Sequence, residues 1–249
     1  MSDEARPPRT AVVIPAAGRG VRLGPGAPKA LRALNGTPML VHAVRAMAAS
    51  RAVRLVVVVA PADGVAEVKH LLDDHALPER TDYLVVAGGD TRQESVRLGL
   101  KAVPDDLDIV LVHDAARPLV PVDTVDAVIE AVRDGAVAVV PALPVADTVK
   151  EVEPATEPGG PEQVVATPVR ARLRAVQTPQ GFDRATLVDA HATVALAGEG
   201  ATDDAGMVEK LGAPVVVVPG HEEAFKVTRP LDLVLAEAVL ARRRANDGF

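Results

Sequence analysis

The feature that most constrains this chain is a rhythm. Short aliphatic runs rich in β-branched residues recur at 11–17, 55–60, 83–87, 109–113, 136–140 and 215–218. Such runs suit strands buried on both faces, because neither side of the segment offers polar groups to water. Between them, 38–50, 93–103, 122–133 and 184–197 carry apolar residues three and four positions apart, the stripe of a helix packed on one face. Alternation of the two patterns predicts an α/β fold with a mostly parallel sheet covered on both sides. Ligands then bind beyond the carboxyl ends of the strands, where successive loops converge. With 48% apolar residues but one Tyr, three Phe and no Trp, the core is aliphatic, and 249 residues suffice for a single domain, 1–249.

One stretch, 144–170, breaks the rhythm. Two β-prone pieces, 148–152 and 163–167, flank a tip rich in Pro and Gly at 153–162. They read either as a hairpin standing away from the sheet, which needs a partner surface because two strands alone are marginal, or as a surface loop.

Charge narrows the function. A formal net charge of −7 opposes general nucleic-acid binding, so any phosphate site must be a local basic pocket. No Cys is present, which excludes disulfides and thiolate-ligated zinc and fits a reducing cytoplasm. The charged, proline-bearing start does not read as a secretory signal, and no aliphatic run approaches the roughly 20 residues of a membrane span. A soluble, cytoplasmic protein is expected.

The first run leads into Gly18-Arg19-Gly20, where backbone amides free of side chains can approach an anion. Two familiar glycine motifs fail here. A Walker loop needs Gly-Lys-Ser/Thr, but Gly24 is followed by Pro25. A dinucleotide fingerprint needs glycine at Leu23 and an acid about 20 residues on, yet no Asp or Glu occurs between Gly18 and Ala62. That interval instead holds Arg19, Arg22, Lys29, Arg32, Arg45, Arg51 and Arg54. Arg22 and Lys29, close behind the glycine turn, are candidates to reach a triphosphate, whereas Arg32, Arg45, Arg51 and Arg54 read as solvated charges or stems over the core. Two later turns also follow strands. Gly88-Gly89-Asp90, by its residues alone, reads as an ordinary strand-to-helix turn with Asp90 near the helix start. Asp114, in His113-Asp-Ala-Ala-Arg117, could hold a metal or pair with Arg117 to fix its loop.

Together these segments resemble a family. Pro15-Ala-Ala-Gly-Arg-Gly-Val-Arg-Leu-Gly24 with Pro28-Lys29, Gly88-Gly-Asp-Thr-Arg-Gln-Glu-Ser95, His113-Asp-Ala-Ala-Arg-Pro118, Asp147-Thr148, Gln177-Thr-Pro-Gln180, Thr202-Asp-Asp-Ala205 and Lys226-Val-Thr-Arg-Pro230 look like the signature of the 2-C-methyl-D-erythritol 4-phosphate cytidylyltransferases. The combination, in order along nearly the whole chain, is specific where any single motif is weak. The resemblance implies a doubly wound, Rossmann-like nucleotidyltransferase sheet with a projecting β-arm, 144–170, that builds a homodimer. It further implies CTP and a polyol phosphate as substrates, pyrophosphate as a product, magnesium as the cofactor, and a place in the non-mevalonate isoprenoid pathway.

Residue roles follow from the same resemblance. Arg22 and Lys29 correspond to transition-state stabilisers, and Pro15, Ala16, Ala17, Gly18 and Gly20 to the triphosphate loop. Gly88, Gly89, Asp90 and Ser95 correspond to contacts with cytosine and ribose, and Ala115 and Arg117 to nucleotide contacts beside the metal candidate Asp114. Arg170 and Lys226 correspond to the catalytic cations that position the acceptor phosphate, with Thr148, Thr178 and Thr202 near the polyol. Because the nucleophilic phosphate is already ionised, nothing in this reaction needs an imidazole, and His113 reads as structural. The chain departs from the family pattern at Ala30-Leu31 after Lys29 and at Asp203-Asp204, where Asp-Glu is commoner. Ala16-Ala17 stands where ribitol-phosphate enzymes more often carry two glycines, which favours the methylerythritol substrate.

Overall fold

A computed structural model describes residues 9–18, 28–155, 157–193 and 201–247. Each aliphatic run forms a strand: β1 (Thr10–Pro15), followed by the small pair β2 (Ala33–Leu34) and β3 (Thr37–Pro38), then β4 (Val53–Ala60), β5 (Asp82–Ala87), β6 (Ile109–Val112) and β7 (Ala138–Pro144). In the second half stand β8 (Glu151–Glu153), β9 (Gln163–Ala166), β10 (Arg174–Val176), β11 (Gln180–Asp183) and β12 (Val216–Pro219). The helices are α1 (Met39–Ala48), α2 (Val65–Asp73), α3 (Arg92–Lys101), α4 (Val122–Arg133), α5 (Arg184–Thr193), α6 (Asp204–Lys210) and α7 (Pro230–Asp247).

An eight-stranded sheet runs β10-β7-β11-β6-β1-β4-β5, with β12 also paired to β7. Strands β5, β4, β1 and β6 pair in parallel, as the buried runs predict. The strand β11 is a difference: it lies antiparallel between β6 and β7. Its sequence, Gln-Gly-Phe-Asp, lacks a β-branched run, and its place is set by tertiary packing. Gly181 is required there, because an added Cβ would lie 2.5 Å from Val128 Cγ1 on α4.

Alternation along the strands feeds two cores. Val12 and Ile14 of β1 join Val44 and Met47 of α1, Val68 and Leu72 of α2, and Val128 and Ile129 of α4. Ala11 and Val13 face the other way, onto Val96 and Leu100 of α3, Leu187 of α5 and Met207 of α6. Burial of each such aliphatic side chain contributes about 1.5–3 kcal/mol before entropy is counted. A third cluster, including Leu34, Met39, Leu119, Val227 and Ala236, docks α7. Helices α2, α6 and α7 add to those that periodicity alone indicates, and of 184–197 the helix covers Arg184–Thr193, with 194–197 outside the described residues.

The segment 144–170 does contain a hairpin: β8 and β9 pair antiparallel in a sheet of their own. Val152, Val164, Val165 and Val169 on it are exposed.

Candidate active site

The carboxyl ends of β1, β5 and β6 open onto one edge of the sheet, and the loops that leave them enclose one cleft. Its lining includes Pro15 to Gly18, Ala30, Gly89 to Arg92, Ser95, Asp114 to Ala116, and Lys226. The first loop stays pinned to the sheet by the Ala16 amide on the Val59 carbonyl at 2.8 Å. At Gly18 nothing among the described residues stands within 4 Å of an added Cβ. Arg19, Gly20 and Arg22 lie outside the described residues. Lys29 opens the short 3-10 turn Lys29–Leu31, its side chain likewise outside the described part, and its neighbour Ala30 reaches the cleft.

The second loop is shaped by close approach. A Cβ on Gly88 would lie 2.9 Å from Ser95 Oγ and 3.1 Å from Ala17 Cβ, so the two loops meet there only because residue 88 is glycine. The Gly89 amide donates to Ser95 Oγ at 3.2 Å and the Asp90 amide donates to Glu94 Oε2 at 3.0 Å. Thr91 caps α3 by accepting the Glu94 amide at 3.0 Å. This cap, with Glu94 reaching back, holds Gly89 and Asp90 against the cleft.

The third loop hangs on His113, which is fully buried. Its Nε2 meets the Arg117 carbonyl at 3.1 Å, which can only accept, so Nε2 carries the proton. Nδ1 then accepts from the Thr178 hydroxyl at 3.0 Å, and that hydroxyl accepts the Asp114 amide at 3.0 Å. Burial, the dominant cause, pushes the imidazole down to about 4, so it is neutral near pH 7. His113 thus fixes the loop that presents Asp114.

Asp114 is the electrostatic centre of the cleft. Lys226 Nζ donates to its Oδ2 at 2.7 Å, and Arg92 Nη2 stands 3.5 Å from Oδ1. Burial disfavours its charge, but Arg92, then Lys226, with Arg117 further off, outweigh that and hold the carboxyl at about 2. Lys226 reaches it because the Val227 amide is bonded to the Ala116 carbonyl at 2.8 Å. Arg92 is fixed from behind by Asp204, whose Oδ2 accepts from its Nη1 at 2.8 Å. Asp204 is buried and also accepts from buried His191 at 3.0 Å. Burial opposes the charge of this carboxylate too, yet His191 and Arg92 hold it below its usual range.

Several expected residues stand elsewhere. The Arg117 guanidinium lies behind the cleft, donating to the carbonyls of Ala224 at 2.7 Å and Val176 at 3.3 Å. Thr178 is buried and spends its hydroxyl on His113 and Asp114. Thr202 is exposed next to Asp203, which caps α6. Thr148 and Arg170 are exposed on the arm, where Arg170 donates to the Ala146 carbonyl at 2.6 Å. Sequence reasoning missed Arg92 and Asp204. A signal existed: a cation in the first turn of α3 opposes the helix dipole and needs a carboxylate partner.

Among the described residues no cluster of three or more His, Cys, Asp or Glu could hold a metal. Asp114, and Asp90 on the second loop, are the two carboxylates of the cleft lining. That fits magnesium, which is commonly held by one or two carboxylates with water and substrate phosphates completing the shell.

A doubly wound sheet with a glycine turn, a capped turn before α3 and a cation-flanked carboxylate at its carboxyl edge defines a nucleotide-handling α/β enzyme of the nucleotidyltransferase type. A family model of 2-C-methyl-D-erythritol 4-phosphate cytidylyltransferase matches residues 10–242. A Streptomyces avermitilis protein of that name is 81% identical over 253 residues, covering 100% of both chains. One from Streptomyces coelicolor is 82% identical over 243 residues, covering 98% of this chain and 89% of its own. Among solved structures, the Thermus thermophilus protein of the same name is 39% identical with a TM-score of 0.70, covering 93% of this chain and 98% of its own. The 4-diphosphocytidyl-2C-methyl-D-erythritol synthase of Anaerococcus prevotii is 27% identical with a TM-score of 0.79, covering 95% and 100%. The chain belongs to the 2-C-methyl-D-erythritol 4-phosphate cytidylyltransferase family. Among the described residues no helix is long and apolar enough to cross a membrane.

Proposed function

We propose that this chain transfers CMP from CTP to 2-C-methyl-D-erythritol 4-phosphate, in the non-mevalonate route to isoprenoids. The observation that supports the reading is the contact between Asp114 and Lys226 at 2.7 Å, which brings two of the motif residues, far apart in sequence, together in one cleft. An ionised acceptor phosphate oxygen attacks the α-phosphorus of CTP. As the new P–O bond forms, the bond to the β-phosphate oxygen breaks and pyrophosphate leaves with the electron pair. No side-chain base is required. Positioning and positive charge do the catalysis.

The amides of the Gly18 turn receive the triphosphate, and Arg22 and Lys29 steady the α-phosphorus under attack. Gly88, Gly89, Asp90 and Ser95 read the base and ribose by backbone and hydroxyl groups, as suits a chain with so few aromatic residues. Asp114 holds magnesium, which when bound neutralises phosphate charge. Lys226 receives the acceptor phosphate. Thr148 and Arg170 reach the acceptor as members of an arm that crosses to a second copy, and the exposed valines of that arm favour a homodimer. The absence of Cys suits a cytoplasmic enzyme.

The test is pyrophosphate release with magnesium, each nucleoside triphosphate, and methylerythritol or ribitol phosphate. Release confined to CTP with methylerythritol phosphate is expected. Release with ribitol phosphate alone overturns the substrate assignment.

A further inference from the structure

Asp114 has both oxygens engaged by cations, and the two cations are held differently. Arg92 is clamped between Asp114 and buried Asp204, and Asp204 is itself bonded to buried His191. Its guanidinium cannot leave without stranding a buried carboxylate, a costly outcome. Lys226 is 40% exposed, on a flexible stem whose backbone stays tied to the Asp114 loop through Val227 and Ala116. Of the two, Lys226 is the one able to swing.

We propose that the Lys226–Asp114 ion pair is a latch coupling the two halves of the cleft. A divalent cation that takes the Asp114 carboxylate releases the Lys226 ammonium to an incoming phosphate monoester. A phosphate that takes Lys226 releases Asp114 to the cation. The two ligands must strengthen each other by the same factor, because linkage is reciprocal. Before either ligand arrives the pair satisfies both charges and keeps a bare, partly buried carboxylate from facing a cleft built for anions. Arg92 meanwhile keeps the carboxylate aimed at the cleft whichever partner holds Oδ2. The latch rests on the proposed reaction's assignment of metal triphosphate to Asp114 and acceptor phosphate to Lys226.

The test uses the full chain and the magnesium complex of α,β-methylene-CTP, whose P–C–P link cannot release pyrophosphate. Calorimetric affinity is measured for wild type, Lys226→Ala and Lys226→Gln, with and without saturating methylerythritol phosphate. In wild type the acceptor tightens the magnesium complex by at least about fivefold, the lower end of common couplings. Both variants lose that gain. Without acceptor they bind the magnesium complex more tightly than wild type does, against the trend for removing a cation from an anion site, and the tightening disappears in EDTA. Unchanged or weaker binding of the magnesium complex by both variants overturns the latch, as does coupling that survives in them. If methylerythritol phosphate fails to bind wild type, the substrate assignment falls, and the acceptor-free arm decides the latch by the same criterion.

Discussion

Acid should weaken this fold through His113 before it reaches the paired carboxylates. The imidazole is fully buried, donates from Nε2 to the Arg117 carbonyl and accepts at Nδ1 from Thr178, so it has no room for a second proton. Its pKa is pushed down to about 4 from 6.5. The unfolded chain therefore takes up a proton first. The stability contributed by neutral His113 is complete above pH 6.5 and falls as pH drops from 6.5 towards 4. By about pH 4.5 the loss is on the order of 2–3 kcal/mol. Asp114, held at about 2 against 3.8, makes its contribution above 3.8 and loses it only below, so its window does not overlap. The assay is urea unfolding at fixed protein concentration between about pH 7.5 and about pH 4.5, for wild type and His113→Gln. The variant starts less stable but loses less on acidification, so the gap between the curves narrows by roughly 2–3 kcal/mol. Parallel curves would refute the assignment of a neutral, trapped imidazole.

Four further outcomes follow from particular contacts. Gly99→Ala puts a Cβ 2.6 Å from Val13 Cγ1 and 2.8 Å from Val59 Cγ2, and despite better helix propensity should cost about 1–2 kcal/mol in denaturant unfolding. Thr91→Ala removes the α3 cap, costing about 1 kcal/mol and raising the Kd for CTP because Gly89 and Asp90 sit on that cap. Glu223 accepts from Arg242 and Arg243 of α7, just before the stretch of chain that carries Lys226, so Glu223→Ala should raise the acceptor KM more than it lowers kcat in steady-state assays. Mixing Arg170→Ala with Lys29→Ala should restore part of the lost turnover if the arm serves a neighbouring site, and no recovery in mixed dimers would count against a shared site.

Much of the frame was legible because it depends on local periodicity. The stripe at 122–133 is α4, from Val122 to Arg133, and the run at 55–60 lies inside β4. The pocket residues next to strand ends were legible for the same reason: a parallel sheet delivers Gly18, Gly89 and Asp114 to one edge. What escaped depends on distant partners. Strand β11 lacks a β-branched run and exists because β6 and β7 leave a slot that Gly181 allows it to enter. Thr178 carries a hydroxyl suited to a polyol, yet the fold turns it onto His113. Arg92 and Asp204 are 112 residues apart, and although a cation in the first turn of α3 calls for a carboxylate, nothing local to it says which one.

The sequence by itself determined the α/β alternation, the aliphatic core, the exclusion of Walker and dinucleotide loops, and the motif set that marks the family, because each is written in neighbouring residues. Tertiary structure alone decided how charge is arranged in the cleft. Asp114 is flanked by Lys226 on one oxygen and Arg92 on the other, and Arg92 answers to a buried Asp204. Coulomb interactions act through space, and only the folded chain brings those charges within a few ångströms.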